Sequence, residues 1–101
     1  MSFNIIAETS QRLNYNYVHK ETYESDLPFD FVPMPNLGPN GGDALGICVP
    51  LKNANEATWK RLKPVLKILR TKFNCEVYDL YGGQRLNYFN IESFKKNLLL
   101  K

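Results

Sequence analysis

The chain has 101 residues, of which 44% are apolar and 23% charged. These values exclude a disordered chain and indicate one globular domain spanning residues 1–101. The formal net charge of +3 is too small to indicate nucleic-acid binding by itself. The start of the chain has neither the basic segment nor the apolar run of a signal peptide, and no stretch approaches the roughly 18 apolar residues of a membrane span. We therefore expect a cytoplasmic protein without a membrane partner.

Alternation of polar and apolar residues in the first third predicts β-strands. In "SFNIIAE" (2–8) and "RLNYNYV" (12–18) apolar side chains recur at every second position, and a short polar link joins the two runs, which predicts a hairpin with one solvated face. The polar and acidic "HKETYESDLP" (19–28) is predicted to be a loop. "FDFVPM" (29–34) alternates again, but the prolines restrict it to an edge strand or an extended loop.

The stretch "PNLGPNGGDALG" (35–46) combines four glycines with two prolines and an acid. A phosphate-binding loop would need a lysine and a following helix. Here Asp43 follows Gly41 and Gly42 and an apolar strand comes next, so turn chemistry is the favoured interpretation. Asn40, Gly41 and Gly42 tolerate positive φ, and the prolines stiffen the approach. A loop that touches a partner is the alternative.

The middle of the chain predicts a strand followed by a long amphipathic helix. "ALGICVPL" (44–51) alternates as a largely buried strand. In 53–74 the large apolar side chains recur at three- and four-residue steps, namely Trp59, Leu62, Leu66, Leu69 and Phe73. Asn55 is the predicted N-cap. Pro64 lies opposite the apolar arc, so we expect it to kink the helix without ending it.

The last quarter predicts a second hairpin and a short helix. "CEVYDLY" (75–81) and "QRLNYF" (84–89) flank Gly82–Gly83, and 90–101 is a helix with Asn90 as its cap. The predicted fold class is α+β: a single, mostly antiparallel sheet with the long amphipathic helix and the short C-terminal helix packed on one face. The strand–helix–strand segment 44–81 is long enough for a crossover connection.

No residue set in the sequence predicts catalysis. His19 is the single histidine, and nothing pairs Cys48 or Cys75 with it. The two cysteines lie in apolar runs with no zinc-binding spacing, so we expect buried, reduced thiols. We therefore predict a protein that is not an enzyme, without catalytic residues, metal or cofactor.

Acidic and aromatic residues form one candidate partner-binding set. Segment 19–30 carries four acids against one lysine. Tyrosine is enriched at binding hot spots, and one tyrosine lies among these acids. The candidates are Glu21, Tyr23, Glu24, Asp26 and Asp30, with Asp43 after the glycines. A solvated surface is the alternative interpretation of such clustered acids.

The long helix supplies a second candidate set. Lys60, Lys63, Lys67 and Arg70 fall within roughly 80° of arc at about 100° per residue, beside the apolar face. We call these four residues the basic stripe. Segment 56–73 has a net charge of +5, while the rest of the chain has −2. The stripe predicts either a solvated helix face or a surface that binds an anionic partner.

"KFNCEVYDLYGGQRL" (72–86), which follows an amphipathic helix, resembles a segment of small bacterial toxin-immunity proteins of the contact-dependent growth inhibition type. The resemblance implies tight binding to a cognate toxin, occlusion of the toxin's active site and no chemistry of its own. The acids of 21–30 would then face a basic toxin cleft, or the basic stripe an acidic toxin surface. The alternative function is a small nucleic-acid-binding protein that uses the basic stripe.

Overall fold

The structure is a computed structural model, and it describes residues 2–22, 26–80, 84–86 and 91–99. The elements in chain order are β1 (Ser2–Glu8), α1 (Tyr15–Thr22), β2 (Asp30–Met34), β3 (Ala44–Pro50), α2 (Glu56–Thr71), β4 (Glu76–Asp79), β5 (Gln84–Leu86) and α3 (Ile91–Leu99). Short 3₁₀ turns span Pro39–Gly41 and Leu51–Asn53.

The five strands form one sheet in the order β2-β3-β1-β4-β5, and every neighbouring pair is antiparallel. β1 lies at the centre. It pairs along its whole length with β3 on one side and through Ile5–Glu8 with β4 on the other. β3 and β4 therefore run in the same direction, and α2 connects them by passing across β1, as the predicted crossover requires. The predicted α+β class is confirmed.

The core lies on one face of the sheet. Alternate residues of β1 point into it, and Phe3, Ile5 and Ala7 are at most 2% exposed. All three helices add side chains to the same core cluster. Phe94 of α3 contacts both the sheet and α2: its ring centroid lies 5.2 Å from that of Phe3 in β1 and 5.8 Å from that of Trp59 in α2. The predicted packing of the long helix and the C-terminal helix on one face is confirmed.

The prediction of a strand over 12–18 is wrong, because this region contains the start of α1. Asn14 begins the helix: its side-chain oxygen accepts a hydrogen bond from the Tyr17 amide at 3.2 Å. A hairpin partner for β1 is also excluded by the sheet, since β3 and β4 occupy both of its edges. The predicted loop over 19–28 is wrong for its first four residues, which continue α1 to Thr22.

Other local predictions hold where the structure describes them. Asn55 caps α2, and its side-chain oxygen accepts from the Thr58 amide at 2.9 Å. α2 continues through Pro64, which is exposed. The strand at 29–34 is the edge strand β2, and β4 pairs with β5 as the predicted hairpin requires. Gly82–Gly83, residues 87–89 and the Asn90 cap lie outside the described residues.

The glycine-rich stretch is a turn, as predicted. Asn40 and Gly41 have φ of 54° and 77°, and the Gly42 amide donates to the Pro39 carbonyl at 3.0 Å. Gly42 also lies against the chain that follows β1, where an added Cβ would come within 2.0 Å of the Thr9 carbonyl oxygen. The loop therefore needs glycine at 42 for close packing onto Thr9 and Ser10.

Candidate partner-binding surfaces

Asp43 has a structural role in the described fold. Its residue is 3% exposed, and its carboxylate accepts from the Leu13 amide at 2.8 Å, the Asn36 amide at 2.9 Å and the Arg12 guanidinium at 3.1 Å. The two backbone amides, first that of Asn36, hold the pKa of the Asp43 carboxyl below its ordinary value. This side chain ties the segment after β1 to the loop between β2 and β3, and it offers a partner little surface.

The other predicted acids are not brought together. Glu21 lies on α1 and pairs with Lys72 Nζ at 3.0 Å. Asp26 is an exposed turn residue whose carbonyl accepts from Arg61 at 2.7 Å. Asp30 is exposed at the start of β2. Tyr23 and Glu24 lie outside the described residues. The acidic segment therefore does not form one site among the residues that the structure describes.

The basic stripe, by contrast, lines a groove. Lys63, Lys67 and Arg70 line a cavity of about 920 Å³ between α2 and the first residues of α3, together with Thr71 and the carboxylate Glu92, and we call this cavity the basic groove. Pro64 and Ile91 supply apolar lining. Lys60 precedes Lys63 by three residues on the same helix face. Three of the four predicted basic residues thus share one concave surface.

The positive charge along the stripe is poorly compensated. Lys63 Nζ lies 3.5 Å from Glu92 Oε1, but both side chains are more than half exposed, so this pair contributes little. Within the described part of the chain, Lys60 and Lys67 have no carboxylate partner, and the Arg70 Nε donates to the Leu66 carbonyl of its own helix at 3.4 Å. Each pair of like charges three or four residues apart destabilises the helix by roughly 0.2–0.5 kcal/mol.

The second face of the sheet is a surface that the sequence analysis did not single out. No described helix packs on it, and we call it the open face. The register brings its side chains together in rows across the strands. Its members are Asn4, Ile6, Glu8, Asp30, Val32, Met34, Cys48, Glu76, Tyr78 and Arg85. A shallow hollow lies at the middle of this face, and Leu80, which follows β4, also lines it.

The centre of the open face is apolar. Val32 and Leu80 are 49% and 56% exposed, while Ile6, Met34 and Cys48 are half-buried around Gly46. A signal for this surface was present in the sequence, because β1 and β2 carry apolar residues on both faces. It could be interpreted only once the helices were known to lie on the other side of the sheet.

Three carboxylates lie at two ends of that apolar centre. Glu8 and Glu76 lie directly opposite each other on β1 and β4, and Asp30 lies at the β2 edge. Glu76 accepts from the Tyr78 hydroxyl at 2.7 Å and from Arg85 at 3.4 Å. The hydrogen bond to Glu76 is the main cause of the raised pKa of Tyr78. Opposed like charges across strands are destabilising, so the Glu8–Glu76 pairing does not itself stabilise the sheet.

The thiols and the histidine do not meet. Cys48 lies on the open face and Cys75 is buried in the core, and both are free. Burial raises the pKa of the Cys75 thiol to about 11. His19 lines a separate cavity of about 170 Å³ between α1 and the β2 edge of the sheet. Cys48 is thus half-buried, not fully buried as the sequence predicted.

Among the residues that the structure describes, no three His, Cys, Asp or Glu side chains are placed to bind a metal ion together. The same residues contain no helix with the length and apolar character to cross a membrane.

Comparison with known proteins gives no match: no protein-family model, no curated protein and no solved structure is significantly similar to this chain. The basic groove and the open face are therefore the features of this fold that bear on its function.

Proposed function

We propose that the chain is a non-catalytic protein-binding module, an immunity protein that binds a cognate bacterial toxin and occludes its active site. The open face of the sheet is the docking surface. The observation that carries this proposal is an apolar sheet centre left without a covering layer, with Val32 and Leu80 about half exposed.

The composition of the open face fits a protein interface. Stable interfaces have an apolar centre that becomes fully desolvated and a polar rim that stays hydrated. Contiguous exposed apolar surface on a soluble domain is typical of an interaction site. Val32, Met34 and Leu80 contribute little to the stability of the fold, because the core lies on the opposite side of the sheet. Burial of these side chains against a partner would instead contribute to the free energy of binding.

The charge of the open face indicates the kind of toxin. Asp30, Glu8 and Glu76 border the apolar centre, and among them Glu76 is paired with Arg85. A toxin that cleaves nucleic acid needs a cationic cleft for the phosphates of its substrate. An acidic border of this kind is complementary to such a cleft and would speed association with it.

The segment that resembles immunity proteins contributes to this same surface. Residues 72–86 include β4 and β5, which place Glu76, Tyr78 and Arg85 on the open face. Leu80 follows β4 and lines the central hollow. The resemblance and the exposed surface thus support the proposal through the same residues.

A capture and neutralisation experiment tests the function. Tagged protein from its native lysate, treated with nuclease, should retain one stoichiometric protein at raised salt. Expression of that protein alone should stop bacterial growth, and co-expression of this chain should restore it. Val32→Arg should abolish the rescue, whereas Leu99→Arg, at an exposed apolar residue of α3, should not. A captured protein that is harmless to growth would reject the immunity role.

A further inference from the structure

We propose that the basic groove binds single-stranded nucleic acid, with phosphates along the basic stripe and bases against the apolar lining. This site is separate from the open face, because α2 lies on the core side of the sheet and the open face lies on the other. Protein docking and nucleic-acid binding would therefore be independent properties of the same chain.

The cations of the site lie in a row and not in a cluster. Lys60, Lys63, Lys67 and Arg70 follow each other at steps of three, four and three residues along α2. At 1.5 Å per residue the row extends over about 15 Å. A linear polyanion matches this shape better than a single compact anion does, because each cation can neutralise a successive charge.

These cations are available to a ligand. Lys60, Lys63 and Lys67 are exposed. The Lys63–Glu92 contact at 3.5 Å is between two exposed side chains and is easily exchanged. Lys67 has no ionic partner in the described part of the chain. Releasing counterions from a nucleic-acid strand then supplies the driving force for binding.

A nucleic-acid strand fits this row better than an acidic protein segment does. In the basic groove Lys63 and Lys67 are flexible point charges, and the planar guanidinium of Arg70 matches a phosphate as well as it matches a carboxylate. A nucleic acid carries one charge on every nucleotide, so it can occupy the row in any register. A protein would need carboxylates at matching steps.

The apolar lining favours a single strand over a duplex. Pro64, Ile91 and the aliphatic stems of the lysines border the cavity of about 920 Å³. Unpaired bases can bury part of their apolar surface against this lining while their phosphates reach the cations. A duplex keeps its bases stacked inside and would use only the charges.

The salt dependence of binding measures the number of phosphates neutralised. We would titrate the full chain into a fluorescently labelled 12-nucleotide oligothymidylate and follow anisotropy between 50 and 200 mM salt. Three or four cations, each contributing about −0.7 to the slope of log K against log salt, predict a slope of about −2 to −3. The affinity should then fall about 20- to 50-fold across this range.

A matched pair of variants locates the site. Lys67→Ala should weaken binding and make the slope shallower by about 0.7. Lys96→Ala, at an exposed lysine of α3 outside the lining, should leave both values unchanged. No detectable binding at 50 mM salt, equal effects of the two variants, or tighter binding of a duplex of the same length would each overturn the proposal. Competition by poly-glutamate at equal charge concentration would also overturn it, in favour of an acidic protein ligand.

Discussion

Asp43 joins two loops through one buried carboxylate, and its replacement should show in stability. In Asp43→Asn the amide can accept through one oxygen only, and its NH₂ group would face the donors of Leu13, Asn36 or Arg12. We expect a midpoint of thermal unfolding several degrees lower, measured by circular dichroism. Asp30→Asn, at an exposed carboxylate, is the control and should be nearly neutral. Equal midpoints for both variants would contradict the structural role.

The same carboxylate predicts a pH dependence. Because its pKa is lower in the folded state than the ordinary 3.8, the Asp43 carboxylate stabilises the fold above about pH 4. This contribution is lost as the pH falls through the folded pKa. The midpoint difference between wild type and Asp43→Asn should therefore be constant near neutrality and shrink below about pH 4. A difference that persists unchanged to pH 2 would argue against a stabilising carboxylate.

The two thiols should differ in reactivity. Cys75 is 5% exposed, and with a pKa of about 11 only about a thousandth of it is thiolate at pH 8. Cys48 is half-buried on the open face. Iodoacetamide at pH 8 should alkylate Cys48 in the native protein and leave Cys75 free, as measured by peptide mass spectrometry. In denaturant both should react; native modification of Cys75 first would contradict the described burial.

At the scale of elements, the contribution of the α2 N-cap to stability can be measured by replacing Asn55. Asn55→Ala removes the acceptor of the Thr58 amide and should lower the free energy of unfolding by about 1 kcal/mol in urea titrations. Asn16→Ala, at an exposed position inside α1, removes no cap and should be neutral or slightly stabilising. A smaller loss at Asn55 than at Asn16 would show that α2 does not depend on this cap.

Most elements could be predicted from sequence because their pattern matches their burial. β1, β3 and α2 each bury one regular face, so periods of two and of 3.6 residues were visible. α1 was missed because Tyr15 and Tyr17 alternate with asparagines as a strand would. The helical signal was the pair Val18 and Thr22, four residues apart and both buried. The spacing of this pair indicates a helix only once β3 and β4 are known to pair with β1 on both sides, because a strand at 12–18 could otherwise pair there.

At the scale of the whole molecule, charge divides between two surfaces. The basic stripe lies on α2, while Asp30, Glu8 and Glu76 border the open face. The stripe was predictable, because helical spacing alone places its four residues together. The open face was not, because it depends on strand order and on the placement of all three helices. The sequence predicts Asp43 as a partner-binding acid after the glycines, but in the fold it is buried and its carboxylate accepts from three donors.

The open face as a protein-docking surface is the central claim, and the dissociation constant of the purified pair tests it most directly. Titration calorimetry of the captured toxin should show that Val32→Arg and Leu80→Arg each weaken binding at least about thirtyfold, equivalent to about 2 kcal/mol. Leu99→Arg should bind as wild type does. Unchanged affinity in both open-face variants, with the fold retained by circular dichroism, would contradict the claim.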